Sequence, residues 1–78
     1  MDHEKWFEEA LSHIDKEIKT GQVFEVKELF TGNKWNQLQR GEKQSFGRYF
    51  SSKVKDGALT SVSLQGESKS RHNMYVKV

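Results

Sequence analysis

Residues 41–78 read GEKQSFGRYFSSKVKDGALTSVSLQGESKSRHNMYVKV, and three signals follow one another along them. Between Glu42 and Lys55 the apolar residues Phe46, Tyr49, Phe50 and Val54 recur at spacings of three and four, which predicts an amphipathic helix. Gly57 stands where such a helix ends. Ala58 to Leu64 then reads as a short strand, Gln65 to His72 as a polar turn, and Asn73 to Val78 as the return strand. Leu59, Val62 and Leu64 alternate imperfectly, so a bend or bulge is expected near Thr60 and Ser61. On the return strand Met74, Val76 and Val78 share one face, with Tyr75 and Lys77 on the other. Helix, Gly-bounded strand and charged hairpin in this order form the ending of a winged helix-turn-helix. There a solvent-facing helix and its neighbouring hairpin meet one nucleic-acid surface.

Upstream, Phe7, Ala10, Leu11, Ile14 and Ile18 form a single apolar stripe, predicting a helix over residues 2–19. Asp2 and Glu4 in its first turn, and Lys16 and Lys19 in its last, suit the helix dipole. Trp6 and His13 lie at the margin of the stripe, where packing at the edge of a core is the plainest role. Gln22 to Val26 leans towards strand, with Phe24 and Val26 pointing the same way. Lys27 to Phe30 reads as one helical turn, Thr31 to Lys34 as a turn by composition, and Trp35 to Leu38 as a further helical turn closed by Arg40 and Gly41. No Pro, repeat or linker interrupts the chain. The expectation is one α+β domain over residues 1–78, winged helix-turn-helix-like, with three helical segments and a small C-terminal antiparallel β-hairpin. Its core should contain Phe7, Leu11, Ile14, Leu29, Trp35, Leu38, Phe46, Phe50, Val54 and Leu59.

Composition narrows the function. A chain of 78 residues sits near the size at which a single core only just suffices. Only 33% of its residues are hydrophobic, but 12% are aromatic, which argues for a small dense core rather than disorder. No apolar run approaches the roughly 18 residues of a membrane span, and the first residues are acidic where a signal peptide is basic. A soluble cytoplasmic protein with no membrane partner is expected. The formal net charge of +2 hides an asymmetry. Residues 1–30 hold four Lys against eight Asp and Glu, a balance of −4, while residues 31–78 hold nine Lys and Arg against three acids, a balance of +6. Such a skew separates a surface facing a polyanion from one facing away; two solvated helix faces would also produce it.

The helix near 42–55 carries the functional signal. At about 100° per residue, Gln44, Arg48, Ser52 and Lys55, with Ser51 at the edge, fall opposite Phe46 and Phe50. That outward face has no acid, and its residue types donate to phosphates and read base edges. Gly47 lies beside the apolar side, where a missing side chain allows a neighbouring helix to approach. The expected nucleic-acid-binding residues are Gln44 and Arg48 towards bases and Lys34, Lys43 and Lys55 towards phosphates, with Arg40 and Ser52 on the same surface. Lys69 and Arg71 join them from the 65–72 wing. Duplex DNA is the expected partner. The alternative is a protein-protein interaction module, an adaptor or modulator, docking on an acidic protein surface. A continuous basic ridge from helix to wing favours DNA, whereas scattered charges beside an exposed Trp6 or Tyr75 favour a protein.

Catalysis finds no support in the residues. Without Cys there is no thiolate nucleophile, and His3, His13 and His72 lack metal-ligand spacing. Neither a Gly-x-Ser-x-Gly elbow nor a phosphate-binding Gly-rich loop is present. A non-enzyme without cofactor or metal, monomeric or weakly homodimeric, is expected.

The run from Gly21 to Phe30, then Trp35-Asn36, Arg40-Gly41 and Phe46-Gly47-Arg48-Tyr49-Phe50, resembles a family of short proteins grouped as a domain of unknown function. These occur in Gram-positive bacteria and their phages and plasmids. The resemblance runs from about Gly21 to Val54 and implies a small cytoplasmic, bacterial or phage-related protein; it carries over no functional residues.

Overall fold

The computed structural model describes residues 1–67 and 72–78. Helix α1 spans His3–Glu17, and the Asp2 carboxylate caps it by accepting the Lys5 backbone N–H at 3.1 Å. Its far end is closed from a distance. The Lys77 ammonium donates to the carbonyls of Ile14 and Ile18, each at 2.9 Å, placing a cation on the negative end of the helix.

Strand β1 (Val23–Glu25) leads into a 3-10 turn, Val26–Leu29, held by reciprocal capping between Glu25 and Glu28. Helix α2 covers Gly32–Asn36, so the segment expected as a turn over residues 31–34 is mostly helix. The reason is local: the Thr31 hydroxyl accepts the Lys34 N–H at 3.3 Å and acts as an N-cap. Helix α3 covers Arg40–Lys55, starting two residues earlier than expected. The Gln39 N–H donates to Glu42 Oε1 at 3.0 Å, which pulls Arg40 and Gly41 into the first turn. Past its end Gly57 adopts φ +77°, a left-handed conformation that favours glycine.

Strands β2 (Val62–Glu67) and β3 (Asn73–Lys77) complete an antiparallel sheet of order β1-β3-β2. The bulge falls at Gln65 rather than at Thr60 and Ser61, because Leu64 pairs with Tyr75 and Gly66 with Met74. Gly66 sits there at φ +141°. Residues 58–61 precede the strand instead of forming it, and residues 65–67, expected in the turn, extend it.

The face of β3 that enters the core is the one bearing Tyr75. Its side chain has no exposed surface, so it is not a docking aromatic; its ring meets Phe50 edge-on at 4.9 Å and Phe24 at 6.0 Å. Met74 and Val76 are half-buried on the opposite face and Val78 is 60% exposed. The core gathers Ile14, Leu29, Phe46, Phe50 and Leu59 as expected, with Ala10, Ile18, Phe24, Val26, Val62 and Tyr75 added. Phe7, Leu11, Trp35 and Val54 are only partly buried against it, and Leu38 is half-buried. The fold is thus α+β: among the described residues, three α-helices pack with a three-stranded antiparallel sheet.

Candidate nucleic-acid interface

Two adjacent rows run down the outer side of α3 and past its end at four-residue intervals. Lys43, Gly47, Ser51 and Lys55 form the first; Gln44, Arg48, Ser52 and Asp56 form the second. Both rows line one cleft of about 810 Å³. Its other walls come from Glu25, Val26 and Lys27 at the junction of β1 and the 3-10 turn, from His72, Asn73 and Tyr75 at the start of β3, and from Trp35. The sheet order causes this meeting: β3 lies beside β1, so the end of β1 and the beginning of β3 face α3 together.

Five of the nine expected binding residues, Lys43, Gln44, Arg48, Ser52 and Lys55, are therefore brought together. Gln44, Arg48, Ser52 and Lys55 are exposed and Lys43 is half-buried. Arg40 is exposed on the first turn of α3, outside the cleft. Lys34 turns elsewhere: it forms an ion pair with Glu9 of α1, and its ammonium lies 4.8 Å from the Trp6 ring centre. It ties α2 to α1 instead of joining the α3 face. Lys69 and Arg71 lie outside the described residues, as does half of the expected 65–72 wing.

The acids near the cleft have local partners. Asp56 accepts from the Ser52 hydroxyl at 3.5 Å, and Glu25 lies 3.8 Å from the Lys27 ammonium. Ser51, expected at the edge of the outward face, is only 8% exposed and forms part of the cleft wall. Gly47 gives no close approach to another helix, since a β-carbon built there meets nothing within 4 Å. It opens onto the cleft instead. Tyr75 and Asn73 were missed as lining residues because their place depends on strand pairing. The Gly47 and Ser51 pair, small residues one turn apart between Lys43 and Lys55, was the signal available in the sequence.

Among the described residues no cluster of His, Asp and Glu suits a metal ion, and no helix is long and apolar enough to cross a membrane. A family model matches residues 8–77, from the second turn of α1 through the whole of β3. This chain belongs to the DUF1413 family, a domain of unknown function. The match to DUF1413 takes in all of α3 and the β2–β3 hairpin, and so extends past the Gly21 to Val54 window on which the resemblance rested. No curated protein and no solved structure matches the chain.

Proposed function

We propose that this DUF1413 protein is a non-catalytic, winged-helix-like module that binds duplex DNA. The observation that carries this reading is the convergence of Lys43, Gln44, Arg48, Ser52 and Lys55 on one side of α3, next to the strands of the hairpin. Within α3 that side bears no carboxylate. Its cations neutralise phosphates, and Arg48 and Gln44 have the donor geometry for guanine and adenine edges. Element order supports the fold assignment, since α1-β1-α2-α3-β2-β3 with sheet order β1-β3-β2 sets a helix and a hairpin side by side.

Binding at this face would put α3 in the major groove, with the hairpin on the flanking backbone. The acidic α1 would face away from the phosphates. The protein-docking alternative draws less support, because its aromatic patch is not on the surface: Tyr75 is buried and Trp6 is half-buried with Lys34 over its ring. Arg48→Ala tests the reading. Arg48 is exposed, so the fold should survive while affinity for duplex DNA falls. Unchanged affinity in the folded variant would remove α3 from the interface.

A further inference from the structure

Helix α1 carries a row of acids that its own chain leaves unused. At about 100° per residue, Glu4, Glu8, Leu11 and Asp15 fall within about 60° of one another, while Lys5 and Lys16 fall on a neighbouring face. Glu4, Glu8 and Asp15 are exposed, and none has an ion-pair partner among the described residues. Lys43, Arg48 and Lys55 on the α3 cleft have none either. The two acids of that cleft are engaged elsewhere, Asp56 with Ser52 and Glu25 with Lys27. The two uncommitted rows match in spacing. With a rise of about 1.5 Å per residue, Glu8 and Asp15 stand about 6 and 16.5 Å along the axis from Glu4, and Arg48 and Lys55 about 7.5 and 18 Å from Lys43. Laid side by side in the same direction, the rows set Glu4 against Lys43, Glu8 against Arg48 and Asp15 against Lys55. Leu11 then falls over the hollow between Gly47 and Ser51, where a β-carbon on Gly47 would meet nothing within 4 Å.

We propose that a second copy of this chain lays the acidic row of its α1 along the α3 cleft and so masks the DNA-binding face. The contact is closed to α1 within its own chain. There α1 packs on the opposite side of α3, where His3 Nε2 meets the Ser45 hydroxyl at 2.9 Å and Phe7 meets the rings of Tyr49 and Phe50. Each docking leaves one acidic row and one cleft free, so copies add head to tail. Exposed ion pairs are individually weak, and the association is accordingly one of high protein concentration and low salt. Self-docking needs only the two charge rows; that it regulates the interface rests on the DNA reading of α3.

The test is sedimentation of the full chain at low salt, from dilute solution up to about 1 mM protein, a concentration that detects millimolar affinity. The wild type should be monomeric when dilute, associate as the concentration rises, and return to monomer when salt is added. Glu8→Lys and Arg48→Glu alter exposed positions, so both should stay folded. Each sets like charges against one another and should weaken association about tenfold. An equal mixture of the two variants should associate again, since the Arg48→Glu chain carries an intact acidic row and the Glu8→Lys chain an intact cleft. A mixed-sequence duplex should disperse the wild-type copies, because it takes the same cleft. The proposal is overturned by a wild type that stays monomeric at about 1 mM, by association that Glu8→Lys leaves unchanged, by a mixture that does not associate, or by duplex that binds without dispersing the copies. Duplex binding by a wild type that never associates would leave the DNA reading standing alone. Copies that associate as described but bind no duplex would keep the docking and remove the DNA reading.

Discussion

Phe50 shows how few side chains hold this molecule together. It has no exposed surface and meets Phe7 and Tyr75 edge-on and Phe46 at a tilt, so it joins α1, α3 and β3. Phe50→Ala should cost about 3–5 kcal/mol, a large part of what stabilises a domain of this size. Thermal or urea unfolding measures it, and an unchanged melting temperature would contradict the packing. Lys77 is a subtler case. Its two bonds to the carbonyls of Ile14 and Ile18 are charge-assisted and half-buried, so Lys77→Ala should cost about 1–3 kcal/mol. Lys77→Arg should recover part of that loss, because a cation still reaches the helix end. Phe50 was placed inside by helical periodicity alone. Lys77 was not, because its partners lie about sixty residues away and no local pattern joins them.

At the scale of elements, helix periodicity was the dependable guide and strand phase was not. Phe46 and Phe50 fixed the buried side of α3, and the outward positions of Gln44, Arg48, Ser52 and Lys55 followed. On β3, the apolar residues Met74, Val76 and Val78 pointed to one face, but the core took Tyr75 from the other. Pairing decides this: Tyr75 stands between Phe24 on β1 and Leu64 on β2, on the side where the helices pack. A two-residue period cannot say which face is covered when both carry apolar groups. Boundaries at α2 and α3 shifted because Thr31 and Gln39 act as caps, a choice the periodic residues do not report.

The same helix offers an independent check. Gly47 lies mid-helix with open space where a β-carbon would be, so Gly47→Ala should raise stability by about 0.5–1 kcal/mol. A fall in melting temperature would show that the position is more crowded than the geometry of the cleft implies.

For the whole molecule, the charge asymmetry seen in the sequence has become an arrangement in space. The acidic excess of residues 1–30 lies largely on α1, and Lys43, Arg48 and Lys55 of α3 line a cleft bounded by the sheet, although Lys34 and Lys77 of the basic half sit against α1. Glu8 is exposed on α1 and is not among the residues lining that cleft. Glu8→Gln should therefore leave DNA affinity unchanged or slightly raised, as measured by fluorescence anisotropy, and a clear loss would place the interface on the wrong side. Glu9 is a poorer probe, because it holds Lys34 between α1 and α2. Each lysine that contacts a phosphate should also contribute to the salt dependence of binding. Lys55→Ala is expected to weaken binding to all sequences alike and to lower the salt slope by about one ion. The most direct measurement is an amide NMR titration of the wild-type chain with duplex DNA near 50 mM salt, where phosphate contacts are strong. The account predicts shifts concentrated at Lys43, Gln44, Arg48, Ser52 and Lys55, with α1 unaffected and the shifts fading as salt is raised. A spectrum that does not change, or one that changes along α1 instead, would contradict it.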